Sequence, residues 1–371
     1  MSTQIRTQIS NSILLAIVIN IVYAKAIGVT QGAIARQVGA DMWIVTILSI
    51  LFALLMMWVV VIIIKRTPEK NILEQSKVLF GAWGEKIFSA LFFLFFLGAY
   101  GGVMITIVYH LMDYFLPDVP TAIFIIATTG VGLYGLSKGI EVIGRFAVLG
   151  LFSISILNIL ILFGSLDNFH VHHFFPVMQN NLWSNLQATS HHNSDWAMAI
   201  LMVAILLPMV KQKEKWNKYT QKSVLIGGGL ILMWPLLQVG TLSPEVTGQY
   251  IISCMQMARS AEIGLFVHRY ELIMIVFFSI SALVQVMSCL ICASISAKHV
   301  VGAKNINKLY IPTALLLGGF GYWIVDDHMR AMHYLEDYWP ILSMSIIIGI
   351  TVLVLLFGTI FKRKLVQRKG K

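Results

Sequence analysis

Ten apolar runs recur along the chain, near 11–36, 43–64, 86–115, 121–137, 143–165, 188–210, 223–242, 270–296, 309–325 and 338–361. Each is long enough to cross a hydrocarbon core of about 30 Å as a helix. No strand alternation, low-complexity linker or soluble domain separates them, so residues 1–371 read as a single polytopic membrane domain. The first run is the unusual one. Apolar residues continue from Ile13 to Val22, then give way to Tyr23-Ala24-Lys25 and to Gly28, Thr30, Gln31 and Gly32. A lysine this deep in a span faces protein or water, and polar residues with glycine halfway along a helix predict a break whose freed backbone groups line a site. The sixth run begins with Gln187 to Asp195, nine residues of mostly polar character. They read either as the outer half of a second broken helix or as a loop with Asp195 capping the helix that starts at Trp196. Ten spans with a broken first helix suggest two inverted halves of five.

Composition makes the membrane reading firm. Hydrophobic residues make up 58% of the chain, charged residues 12%, and mean hydropathy is +0.80, a balance that could not cover a soluble surface. The position of the positive charge sets the orientation. Of the 27 Lys and Arg, 21 fall in the N-terminal tail, the C-terminal tail and the connections after spans 2, 4, 6 and 8. Only Arg36, Arg259, Arg269 and Arg330 fall in the opposite connections, so both termini are expected in the cytoplasm. Three connections on the other face are more than turns. Residues 166–187 hold His170, His172 and His173; 243–269 read as an amphipathic hairpin; and 326–339 are acidic and aromatic. The absence of a cleavage site makes the first run a mature helix.

Candidate chemistry is sparse. The histidines lack the spacing of a closed metal site, so no metal or cofactor is expected. Cys254, Cys289 and Cys292 read as buried free thiols. Glu141 and Arg145 are spaced to pair on one helical face, and Glu271 with Arg269 and His268 ties the 243–269 hairpin to the bundle. Ser281, Gln285, Ser288 and Cys289 form a polar stripe on the eighth span that serves packing or ligand contact. No nucleophile-base, phosphate-loop or metalloprotease pattern is present, which argues against an enzyme.

Several stretches together resemble one family. They are Gly39-Ala40-Asp41-Met42-Trp43, Gly81 and Pro120, Gly139-Ile140-Glu141 through Arg145, Phe175-Pro176-Val177, and Leu207-Pro208. The most specific runs from Leu242-Ser243-Pro244-Glu245 to Phe266-Val267-His268-Arg269-Tyr270-Glu271. In order and spacing the chain resembles the B subunits of bacterial spore germinant receptors, relatives of the amino acid–polyamine–organocation permeases. The resemblance implies an all-α membrane protein of ten helices in the five-plus-five inverted-repeat, LeuT-like permease fold, with broken first and sixth helices. It implies a pocket for a small, amino-acid-like germinant between the first, third, sixth and eighth helices. It also implies partner A and C subunits in the spore inner membrane. Carried over by position, Tyr23, Phe95, Ala99, Ala199, Gln285 and Cys289 line that pocket. This chain departs from the family at three places. Tyr23 and Lys25 stand where small residues are usual, Met202 stands where a carboxylate is common, and His268 replaces the Glu before Arg269. Two bulky residues at the break predict a reshaped or partly filled pocket. Lys25 lies just outside Tyr23 on a helix running outward, and Asp195 lies one turn outside Ala199 on a helix running inward. The two should meet at one depth and pair, adding both to the ligand-binding set.

Overall fold

A computed structural model describes residues 8–261 and 270–361, and nearly all of them are helical. Eight helical stretches are long and apolar enough to cross a membrane, and two shorter apolar helices, Asn11–Ile27 and Thr121–Ser137, accompany them. In chain order the elements are α1 (Asn11–Ile27), α2 (Val29–Val38), α3 (Met42–Lys65), α4 (Ile72–Met112), α5 (Thr121–Ser137), α6 (Ile140–Ser165) and α7 (Leu182–Leu206). They continue with α8 (Trp216–Leu242), α9 (Pro244–Gln249), α10 (Ser253–Ser260), α11 (Tyr270–Val301), α12 (Asn307–Val325), α13 (His328–His333) and α14 (Trp339–Ile360). The first span is α1 plus α2. The other nine are α3 to α8, α11, α12 and α14.

Local sequence explains where these helices start and bend. Ser10, Asn71 and Asn181 cap α1, α4 and α7 through side-chain oxygens that accept orphan backbone N–H groups. At α4 the cap is reciprocal, because Glu74 accepts from the Asn71 N–H. Within α4, Gly81 takes φ 79°, a conformation that excludes most side chains and turns the first nine residues off the axis of the span.

The packing repeats itself across the two halves of the chain. In one group α1 packs on α8 and α3 packs on α7, the same pairing with the halves exchanged. In the other group α4 packs on α12 and α5 packs on α11, again exchanged. The fifth span of each half joins the two groups: α6 touches α1 and α11, and α14 touches α7 and α4. That reciprocity is the signature of a five-plus-five repeat. The described chain ends lie on one face. Ile9 forms an isolated parallel bridge with Val210, just past α7. Arg66, at the end of α3, donates to the Leu355 carbonyl at 3.0 Å and to Thr359 Oγ1 at 2.9 Å at the end of α14.

Two expectations change. The first span is broken, at Gly28 alone, where ψ is −106°. The sixth is not. Helix α7 runs unbroken from Leu182 to Leu206, and Asp195 sits mid-helix, so it neither caps nor flanks a break. No glycine or proline interrupts this stretch. Its polar side chains are absorbed within the helix, Thr189 onto Leu186 O and Ser194 onto His191 O, or reach across to the first span. The hairpin expected at 243–269 is represented by the short helices α9 and α10. Its remainder, with His268 and Arg269, lies outside the described residues.

Candidate functional site

The break at Gly28 is held from three sides. From behind, α4 comes so close that a Cβ on Gly28 would lie 2.9 Å from the His110 ring and 3.2 Å from the Thr106 methyl. One turn on, a Cβ at Gly32 would lie 2.3 Å from the Tyr250 carbonyl oxygen in the α9–α10 connection. Within the first span, the Gln31 amide reaches back past the break and donates to the Ala26 carbonyl at 2.9 Å. A backbone acceptor freed by the break thus finds a donor, as a low-dielectric interior demands.

On the third side stands α7. The Lys25 ammonium donates to Asp195 Oδ1, and both residues are buried, at 6% and 2% exposure. The other carboxylate oxygen accepts from Thr30 Oγ1 at 2.9 Å and lies 3.5 Å from His192 Nδ1. His192 Nε2 lies 3.3 Å from the Gln31 amide nitrogen. A proton on Nδ1 makes His192 a donor to Asp195 and an acceptor from Gln31, so one neutral tautomer satisfies both contacts. One carboxylate therefore gathers Lys25 from α1, Thr30 from α2 and His192 from its own helix. The pairing expected from register is formed. A buried ion pair supplemented by such hydrogen bonds recovers part of the desolvation penalty of its charges.

Beyond this network, towards the face opposite the chain ends, lies a cavity of about 10 Å³, close to the space one water requires. Lys25, Thr30, Arg36, His191, Ser194 and Glu336 are among its walls. Arg36 at the end of α2 closes it by pairing with Glu336 and by donating to Gly248 O at 3.0 Å. The opposite side is open. A cavity of about 570 Å³ enters from the face that carries the chain ends, bordered by Asn71, Gly139, Pro208, Lys298 and Tyr310. Glu85 stands near its rim, bonded to Lys77 at 2.7 Å and to His299 at 2.8 Å.

The remaining expected site residues are all buried, and each makes contacts of its own. Tyr23 turns its hydroxyl to Asn158 of α6, and the Trp234 indole of α8 donates to that hydroxyl at 3.0 Å. Gln285 donates to Ile21 O at 2.6 Å, and Cys289 lies 3.9 Å from the Met198 sulfur. Phe95 packs its ring 5.2 Å from that of Trp339. Ala99 and Ala199 are buried small residues on α4 and α7. Of the eight expected residues, only Lys25 borders the cavity beneath Arg36. Thr30, Gln31 and His192 stood in the two polar stretches without roles of their own, and Arg36 and Glu336 were missed as site residues. Arg36 had a visible signal, as a lone cation in a connection otherwise poor in them. Its partner lies 300 residues away.

Comparison with known proteins agrees with this geometry. Residues 8–318 match the family described as spore germination protein. Spore germination protein YndE of Bacillus subtilis (strain 168) is 23% identical over 302 residues, covering 79% of this chain and 81% of its own. Spore germination protein KB of the same organism is 22% identical over 301 residues, covering 77% of each. Two solved transporters share the fold. One is a Na⁺-coupled sialic acid symporter (TM-score 0.65, 13% identity, 97% of this chain and 89% of that one). The other is Mhp1, a nucleobase-cation-symport-1 family transporter (TM-score 0.70, 11% identity, 96% and 80%). These relatives are germination proteins and transporters, and the architecture is that of the LeuT-like permeases. A multi-pass membrane protein built around a broken first span, this chain belongs to the spore germination protein family.

Proposed function

We propose that this chain is the membrane-embedded sensing subunit of a spore germinant receptor. It lies in the spore inner membrane with both termini cytoplasmic, and it signals to A and C partner subunits. The observation that carries this reading is the Lys25–Asp195 network, which fastens the break in the first span to the sixth span. A transporter that couples to an ion must bind that ion at each cycle. Here a fixed ammonium already neutralises the buried carboxylate, so the protein responds to a solute without an ion gradient. A small germinant entering beneath the Arg36–Glu336 pair would favour one arrangement of the two helix groups over the other, and the partners would read that shift. The reading has the protein bind and signal, with no chemistry performed on the ligand.

The test is germination of spores carrying Lys25→Met or Asp195→Asn, with the protein's level checked by immunoblot. Loss of the response to one germinant at normal protein level is expected; unchanged germination across a nutrient panel would overturn the reading. A second reading, a free-standing amino-acid transporter, is favoured by the small closed cavity on one side of the break and the 570 Å³ opening on the other. Uptake of labelled amino acid into liposomes holding this chain alone would establish it. A scaffold subunit that binds nothing would show neither germinant-specific loss nor uptake.

A further inference from the structure

The seam between the fourth spans of the two halves is hollow. Helices α5 and α12 pack antiparallel there, joined at one end where the Thr121 hydroxyl donates to Asp326 at 3.2 Å. Between them lies a groove of about 450 Å³. Ile125 and Ala314 are buried and form its floor, whereas Ile126, Ile311 and Leu315 are exposed and form its rims. Exposed aliphatic side chains on a spanning helix face lipid, so the groove opens sideways into the membrane. The Thr129 hydroxyl in its wall is already hydrogen-bonded to that of Tyr100 at 2.6 Å. What the groove offers a ligand is therefore almost wholly hydrocarbon.

Length points to the occupant. The walls run from Ala122 to Leu133 on α5 and from Ile311 to Tyr322 on α12, about 16 Å of helix rise on each. That is about half of a hydrocarbon core of ~30 Å, the depth of one leaflet. An acyl chain has that reach, whereas a partner's spanning helix seated along the seam would run on past its ends.

Charge fixes which way the occupant lies. Beyond Tyr322 the groove ends among carboxylates: Asp326 one turn on, Asp327 next to it, and Asp118 just before α5. Arg330 is near this end too, but it stacks on Trp323 and stands 4.0 Å from Asp327. The other end is basic. Lys308 lies one turn before Ile311 on the same face of α12, Lys304 precedes it, and Lys138 ends α5. All three lysines are exposed, and among the described residues none is paired with a carboxylate. This end is on the face of the chain ends, because Ile306 and Tyr310 border the 570 Å³ cavity that opens there. Basic residues beside a cleft between spans are what an anionic headgroup requires.

We infer that the seam between α5 and α12 binds one anionic phospholipid from the leaflet on the chain-end face. One acyl chain fills the groove, and the phosphate sits at Lys308 and Lys304. A lipid so placed braces the fourth span of one half against that of the other.

The test is native mass spectrometry of the purified chain after exposure to an equimolar mixture of dioleoyl phosphatidylglycerol and dioleoyl phosphatidylcholine. The parent should keep one phosphatidylglycerol in preference to phosphatidylcholine. Two variants locate it. A Cβ on Gly130 or on Gly319 would meet nothing within 4 Å, so Gly130→Leu with Gly319→Leu fills the groove without displacing this chain's own packing. That preference should be lost in the leucine pair while the lipid-free melting temperature holds. Lys308→Gln should weaken retention of phosphatidylglycerol about fivefold, the share of one lysine near an anionic headgroup. Lys308 is exposed, so this variant carries the test even if the leucines lower the melting temperature. Equal retention of the two lipids by the parent, or an undiminished preference in either variant, would overturn the assignment. A parent dimer that the leucines dissolve would give the groove to a second copy of the chain and overturn it as well.

Discussion

The first and sixth spans hold equivalent places in the two halves of the fold, yet one is broken and the other is whole. Both turn polar midway, so polarity does not decide the matter. In the first span, glycine stands at the two positions, 28 and 32, where α4 and the α9–α10 connection come within about 3 Å of where a Cβ would be. In the sixth, no residue from 182 to 206 is glycine or proline, and Thr189 and Ser194 return their hydroxyls to carbonyls of the same helix. A helix breaks where another element must approach its backbone and the sequence permits it. Asymmetry of this kind divides the labour: the broken span offers backbone and side chains that can move, and the whole one offers a rigid post carrying the carboxylate.

The comparison can be broken at its joint. Removing one partner of a buried, hydrogen-bonded ion pair typically costs about 3–5 kcal/mol. Lys25→Met and Asp195→Asn should each lower stability by that order in a thermal or denaturant melt, and the double substitution should recover part of the loss. Strictly additive losses would mean that the two spans stand without the joint. Next in size is healing the break. Gly28→Ala and Gly32→Ala place a methyl against His110 and the Tyr250 carbonyl, and overpacking of this kind costs about 1–3 kcal/mol. Hydrogen exchange should rise first in α2. A stabilised Gly32→Ala variant would show that the α9–α10 connection yields freely.

Smaller effects sharpen the contrast from the other side. Ser194→Gly should cost about 1 kcal/mol if α7 is continuous, through helix propensity and the lost bond to His191 O. A neutral or stabilising outcome would mean that α7 prefers to open there. Smallest in energy is Arg36→Gln. The pair with Glu336 is about one-third exposed on either side chain and contributes no more than about 1 kcal/mol. Its effect should appear in access: a cysteine placed at Ala33, on the cavity wall, should react faster with a polar thiol reagent once Arg36 is neutral. Equal rates would assign closure to Gly248 and the α9–α10 connection alone.

Local features of this fold were legible in the sequence, and long-range ones only where two registers could be counted. The 121–137 run is α5, and the i,i+4 pair Glu141–Arg145 forms at 2.8 Å, because both follow from helical periodicity. Lys25 and Asp195 could be matched because both were counted from pocket positions carried over from the family. Tyr23 could not be aimed. Its partners Asn158 and Trp234 are distant in sequence, and the rotation of α1 that points Tyr23 at them is set by packing. The off-axis start of α4 was hidden for another reason. Gly81 breaks no apolar pattern, and its positive φ is visible only in three dimensions. Tyr334 and Trp339 read as an interfacial aromatic belt until the structure buried them with their donors unused.

The bridge between Ile9 and Val210 has a practical consequence. Ile9 donates its N–H to the Met209 carbonyl and accepts from the Lys211 N–H, each at 3.0 Å, at the foot of the helix that carries Asp195. Whatever tilts that helix drags the start of the chain along with it, as a pointer rides on its dial. A fluorophore fixed near Ser10 and a second beside the foot of α14 would turn that motion into a change of energy transfer, an optical gauge that needs no partner protein to read it.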